Sequence, residues 1–293
     1  MTTGHERPSA AGGEPIAIVA AGGAIPVEVA SAAMAAGRKV LVIGLEGEAD
    51  ERLRAYPYVA IKWGQIGRIE KLVRENGGHE VVLIGSVAGR PDFSSIGVDL
   101  GTLRLLPRIL KGMIGGDDTV LGNLVRYLEE RGLKVVGAHE LAPSLAALPG
   151  RIGGPRAPAA ALEDGRLAMH AARTIGDLDI GQGAVAVNGH VVALEAAEGT
   201  DAMLERVETL RAVGRIRWKG RAGVLAKCAK PKQDLRVDMP TIGPRTVAAV
   251  AKAGLAGIVI EPRRVMIADR AATLAAAETS GTFIVAGGEE KPP

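Results

Sequence analysis

Aromatic residues are scarce: the 293-residue chain has two Phe, two Trp and three Tyr. A core must then be built from Ala, Val, Leu and Ile, and the 47% hydrophobic content is enough for one. So few rings also make stacking on a base or sugar a poor basis for ligand binding. The single cysteine, Cys228, excludes an internal disulfide and a cysteine-based zinc site, and suits a reducing compartment. It has no histidine near it in sequence and is expected to be a strand-packing thiol, not a nucleophile. No apolar run approaches the ~18 residues of a membrane span. Residues 1–14 are polar and Gly/Pro-rich without an apolar signal core, so a disordered tail and a cytoplasmic protein are expected. A net charge of +3, evenly spread, argues against a nucleic-acid partner.

What is abundant is glycine, 40 residues, which fits tight turns and close backbone approach to a ligand. Short apolar runs separated by helical patterns give an α/β chain of two domains. The N-terminal domain, 15–141, is expected to be a Rossmann-like doubly wound parallel sheet. The C-terminal domain, 161–287, is expected to be a mixed-sheet α/β domain. A Pro/Gly/Ala-rich stretch, 142–160, reads as a linker and 288–293 as a tail.

The first domain opens with a buried strand at 15–20, the turn A-G-G-A-I-P, and a helix from Pro26. Such a turn lets backbone approach a phosphate while the helix N-terminus favours its charge. Gly22, Gly23, Ala24 and Ile25 are therefore candidate binding residues, although a full G-x-G-x-x-G is absent. Further strands are expected at 39–44, 58–62, 80–84 and 134–137, with helices at 66–75 and 116–131. The fourth strand runs into a loop with Gly85, Ser86, Arg90 and Phe93, where Arg90 is placed to bind a phosphate or an acyl carbonyl. Residues 103–114 carry Arg104, Arg108 and Lys111 near one helical face; packing on a sheet is preferred to lying on a membrane. Asp117 and Asp118 read as helix caps. His139 and Glu140 follow the last strand and line a pocket.

In the second domain a helix is expected over 161–175, then a hairpin with strands 184–187 and 190–194 joined by Asn188-Gly189. Gln182 precedes it, suited to reading an amide or uracil edge. Glu198, Gly199, Thr200 and Asp201 open the next helix, a site for phosphate or sugar as well as a cap. The organising stretch is 222–243, AGVLAKCAKPKQDLRVDMPTIG. After a buried strand come Lys227, Lys230 and Lys232, then Asp234 to Asp238 in polar/apolar alternation. If extended, that run sets Asp234, Arg236 and Asp238 on one face. Thr241 is a candidate cap for a helix from Pro244. Cations interleaved with carboxylates suit a polyanion, with pyrophosphate the obvious one, and a carboxylate that holds a metal or steers a water. A solvated charged edge strand reads the same way.

This stretch resembles the C-terminal signature of the LpxI-type UDP-2,3-diacylglucosamine pyrophosphatases of lipid A synthesis, R-V-D-x-P-T-I-G. Other similar segments are A-G-G, the 85–93 loop, G-D-D, G-A-H-E, D-I-G-Q-G and E-G-T-D-x-M-L, spread from Gly22 to about Asp269. Ser86 stands where the family pattern has Asn, and Ala24 where it has a third Gly. The resemblance implies a Gram-negative enzyme that hydrolyses UDP-2,3-diacylglucosamine to UMP and 2,3-diacylglucosamine 1-phosphate (lipid X). Water would be directed at the sugar-side phosphorus. Magnesium would be the cofactor, Asp238 the catalytic residue and, with Asp234, a metal ligand. It also implies contact with the inner membrane and a homodimer. Whether Asp238 holds metal or acts as base stays open. The rival readings are a nicotinamide-dependent oxidoreductase, with Glu46 as its ribose-binding acid, and a non-catalytic nucleotide-sugar sensor.

Overall fold

A computed structural model describes residues 13–87, 101–102 and 117–287. Arg90, Phe93, the basic stretch 103–114, the tail 288–293 and residues 1–12 of the first tail lie outside the described residues. The chain divides into two compact units at Ala142/Pro143.

The first unit holds five parallel strands: β1 (Ile16–Ala20), β2 (Val40–Leu45), β3 (Tyr58–Ile61), β4 (Glu80–Ile84) and β5 (Lys134–Val135). Their spatial order is β3-β2-β1-β4-β5, with Ile16 opposite both Val40 and Glu80. β1 and β4 are nearly continuous apolar runs because a central parallel strand is covered on both faces. The helices are α1 (Ile25–Ala35), α2 (Ile66–Glu75), α3 (Asp117–Glu130) and the short α4 (Ala138–Leu141), which packs on α1 and β4. The order reverses between β1 and β4, and the carboxyl side of such a reversal is the usual ligand position in these sheets. One buried carboxylate ties the far end of this sheet together: Glu80 accepts from Arg38 and from Lys134, each at 2.7 Å. Burial alone would push its carboxyl up; the bonds from Lys134 and Arg38 outweigh that and hold it below the ordinary glutamate range.

The second unit is a six-stranded mixed sheet in the order β6-β13-β11-β9-β7-β8. Its strands are β6 (Gly150–Gly153), β7 (Gly183–Val187), β8 (His190–Leu194), β9 (Val224–Lys227), β11 (Gly257–Ile260) and β13 (Phe283–Ala286). A separate parallel pair joins β10 (Thr241–Ile242) to β12 (Met266–Ile267). The helices are α5 (Ala159–Asp177), α6 (Gly199–Ala212), α7 (Pro244–Lys252) and α8 (Arg270–Ser280). Alternate strand residues serve two cores. Ala184, Ala186, Val224, Ala226, Val259 and Phe283 pack on α5. Val185, Leu225, Ile258, Ile260 and Ile284 pack on the face of α6, α7 and α8.

Two expectations need correction. Residues 142–160 are not an unstructured linker: they carry a 3-10 turn, Pro143–Leu145, and β6, which pairs antiparallel with β13. The signal was weak because β6 has one large apolar residue, Ile152, between glycines. Gly154, at φ +72°, turns the chain against the Thr282 carbonyl, where a β-carbon would collide. Nor is the run from Asp234 to Asp238 extended. It is a turn in which the Asp238 N–H donates to the Asp234 carbonyl at 3.0 Å. The Asp234 side chain drives it, accepting from the Arg236 N–H at 3.1 Å, and this local bond competes with a strand ladder.

Candidate functional site

In the first unit the β1–β4 crevice is made of backbone. Gly22 and Ser86 exchange two N–H···O bonds of 2.9 Å, just past the last paired residues of the strands. Gly23 takes φ +99° and Gly85 φ +118°, and a β-carbon on Gly85 would stand 2.7 Å from the Ala21 backbone. Ala24 precedes α1 and offers no side-chain cap, so the first turn of the helix, with Ile25 and Pro26, opens beside the crevice. Glu140 caps its own helix, accepting from the Gly137 N–H at 2.8 Å. His139 Nδ1 is buried without a hydrogen-bond partner.

The second unit places side chains where the first places backbone. β9 runs parallel to β11, but β7 runs antiparallel to β9, with Gly183 opposite Lys227. The start of β7, the end of β8 and the carboxyl end of β9 therefore share one edge. Lys227 is only 8% exposed and its Nζ donates to the Thr241 carbonyl at 3.2 Å. Burial lowers the Lys227 pKa, and the nearby carboxylates of Glu195, Asp201 and Asp238 oppose this without reversing it. Glu195, 6% exposed, accepts from Thr200 Oγ1 at 2.9 Å. A β-carbon on Gly183 would meet the Glu195 carboxylate, which would have to move aside.

Asp238 follows the turn. Its Oδ2 accepts from Gln233 Nε2 at 2.6 Å, and the same amide nitrogen donates to Gln182 Oε1 at 3.3 Å. The structure thus brings together Gln182, Thr200, Asp201, Lys227, Asp238 and the Thr241 carbonyl. The other predicted cations are distributed differently. Lys230 pairs with Asp179 at 2.7 Å, and Lys232 is exposed. Arg236 closes on Asp234, donating from Nε to Oδ1 at 3.0 Å and from a terminal nitrogen to Oδ2 at 2.7 Å. That guanidinium holds the Asp234 carboxyl below its usual range. Glu198 pairs with Arg206, and Asp201 with Arg245, each at 3.1 Å. Gly199 starts α6 at φ +77°.

Thr241 lies in β10 and bonds the Met239 carbonyl at 3.1 Å; it does not cap α7, whose first N–H, on Gly243, donates to Thr246 Oγ1 at 3.3 Å. Cys228 is fully buried and its thiol is pushed up to about 11 by burial, so it stays protonated at neutral pH. Two residues escaped the sequence reading. Glu195 directly follows the last residue of β8; the signal was the small residues Gly181 and Gly183 leaving room for it. Gln233 sits in a charged run where a neutral amide attracts no notice, yet it is 7% exposed.

The donor set can be tested against a divalent metal. Among the described residues no group of three His, Cys, Asp or Glu side chains stands together as a metal cage. Magnesium does not need one, because one or two carboxylates suffice when substrate phosphates supply the remaining oxygens. Asp238 fits that role. Asp234 does not, since both its oxygens are taken by Arg236.

Residues 15–145 match the family model described as the LpxI N-terminal domain, and residues 149–285 match that of the LpxI C-terminal domain. The chain belongs to the LpxI family. A family relative from Caulobacter vibrioides, described as UDP-2,3-diacylglucosamine pyrophosphatase LpxI, is 42% identical over 278 residues, covering 95% of this chain and 99% of the relative. The comparisons lend no support to the nicotinamide-dependent alternative. Among the described residues no helix is long and apolar enough to cross a membrane.

Proposed function

We propose that this chain hydrolyses the pyrophosphate of UDP-2,3-diacylglucosamine to UMP and 2,3-diacylglucosamine 1-phosphate, in lipid A biosynthesis. The observation that carries the reading is the buried Lys227 ammonium facing Asp238, Glu195 and Asp201 at one sheet edge of an LpxI-family chain. A pyrophosphate diester carries about two negative charges that repel a nucleophile until cations offset them. A lysine shielded from water does this more strongly than an exposed one. Lys230, Lys232 and Arg236 add charge at the rim of the same turn, Lys230 while paired with Asp179 and Arg236 with Asp234.

Asp238 orients the attacking water and takes its proton. The water oxygen bonds to the sugar-side phosphorus. The bond from that phosphorus to the bridging oxygen breaks, and its electron pair leaves with UMP. Asp238 would also hold magnesium, which when bound neutralises charge on the phosphate oxygens. The start of α1, with Gly23, Ala24 and Ile25, suits an anionic head group, while Gly22, Gly85 and Ser86 shape the turns beside it, the Gly22 and Ser86 N–H groups each being bonded to the other residue's carbonyl.

The test is UMP release from UDP-2,3-diacylglucosamine with magnesium and with a chelator. Metal-dependent release is expected. Stabilisation by UDP without any UMP release would instead make the chain a nucleotide-sugar sensor, and release that survives chelation would remove the magnesium from this account.

A further inference from the structure

Gln233 is a neutral side chain buried between charged neighbours, and its two ends are not interchangeable. A carboxamide has one acceptor end and one donor end. The Oε1 end accepts from the Lys230 backbone N–H at 2.9 Å, a donor that only that end can satisfy. The Nε2 end is thereby turned toward Asp238 Oδ2 at 2.6 Å and Gln182 Oε1 at 3.3 Å. The Gln182 backbone is held at the end of β9, because its main-chain carbonyl accepts from the Cys228 N–H at 3.0 Å. The Lys230 backbone N–H thus fixes the Gln233 amide in a short relay from Gln182 that finishes on one oxygen of Asp238.

The neighbouring Asp234 shows what the alternative looks like. There the partner is a guanidinium, which orients the carboxylate and also neutralises it. An amide orients the carboxylate without adding a charge of its own. We infer that Gln233 is a positioning residue that aims the Asp238 carboxylate, with Gln182 setting the direction of the Gln233 amide. The inference rests on the hydrolase reading and adds to it a residue that acts only through Asp238.

Three variants test it, each measured for kcat and KM of UMP release and for its unfolding midpoint. Gln233→Met removes both polar ends at similar length. Gln233→Glu keeps the acceptor for Lys230 and replaces the donor with a second carboxylate. Gln182→Ala removes the outer member of the relay. A misplacement of about 1 Å at a reacting group costs on the order of 10²-fold, so both Gln233 variants should lose kcat on that scale with KM within about twofold of wild type. Gln182→Ala should lose about threefold in kcat, the scale of one weak neutral hydrogen bond of under about 1 kcal/mol. Wild-type kcat in a folded Gln233→Met, or a loss confined to KM, overturns the inference while the hydrolase reading stands. Should both Gln233 variants fail to fold, unchanged kcat in Gln182→Ala overturns it. No UMP from wild type overturns the hydrolase reading and this inference together.

Discussion

At the carboxyl edge of the first sheet, between β1 and β4, the lining is backbone: Gly22 and Ser86 bonded to each other, Gly23 and Gly85 in left-handed conformations, and the open start of α1. At the carboxyl edge of β9 in the second sheet the lining is charge: Lys227, Glu195, Asp201 and Asp238. The difference follows from strand direction. In an all-parallel sheet one edge collects only strand ends, and the turns that leave them. In the second sheet β7 is antiparallel to β9 and β8 antiparallel to β7, so one edge also collects the start of β7 and the end of β8. That is how Gln182, Glu195 and Lys227, far apart in sequence, become neighbours. The first edge, at the start of α1, suits an anion held by backbone, and the second suits chemistry at a phosphate.

The contrast can be broken or sharpened by substitution. Lys227→Met should give the largest effect, since it leaves the buried Glu195 carboxylate, with Asp238 and Asp201 near it, without its buried cation. Truncating one member of a buried charge cluster costs about 2–5 kcal/mol, so kcat/KM should fall on the order of 10³-fold. Steady-state UMP release checks this; an equal loss from Lys232→Met would erase the distinction between buried and rim lysines.

Glu80→Gln should act on the first unit's stability and not on its chemistry. Removing the carboxylate leaves the half-buried Arg38 guanidinium and the exposed Lys134 ammonium facing a neutral amide, and should lower the unfolding midpoint. Its depressed pKa carries a pH signature. A carboxyl held lower in the folded than in the unfolded state adds stability that is fully present above the ordinary glutamate range. That stability is lost as pH falls through the depressed folded value. Acid unfolding of the wild type below the ordinary range, and its attenuation in Glu80→Gln, can be followed by circular dichroism.

Gly85→Ala forces a β-carbon into the Ala21 backbone at φ +118° and should cost about 1–3 kcal/mol. With the crevice deformed, KM should rise more than kcat falls. A drop in kcat alone would contradict the division of labour between the two edges. Smallest of all, Asn188→Ala at φ +51° in the β7–β8 turn should cost about 1 kcal/mol in unfolding titrations and leave turnover alone.

Much of this architecture was legible because local and tertiary signals agree. Strong apolar runs such as residues 80–84, and the Asn188-Gly189 turn, say the same thing at both levels. Helix α2 spans Ile66–Glu75 as its periodicity indicates. Elements were lost where short-range chemistry overrides pattern. The alternation from Asp234 to Asp238 predicts a strand, but the Asp234 carboxylate bonds its own backbone two residues on and makes a turn. β6 is legible only through its partner β13. At the site, the charged residues announced themselves by type, whereas Glu195 and Gln233 matter through burial and bonding that spacing does not reveal.

The central claim is that Asp238 performs chemistry at the second edge and does not merely hold the substrate or the fold. The most direct measurement pairs UMP release with UDP binding for wild type and Asp238→Asn. Asparagine keeps the size of the side chain and loses its charge and basicity. A general base contributes about 10²–10⁴-fold, so release should fall on that scale while UDP affinity and the unfolding midpoint stay near wild type. Loss of binding in step with activity, or near-normal turnover in a folded Asp238→Asn protein, would contradict the account.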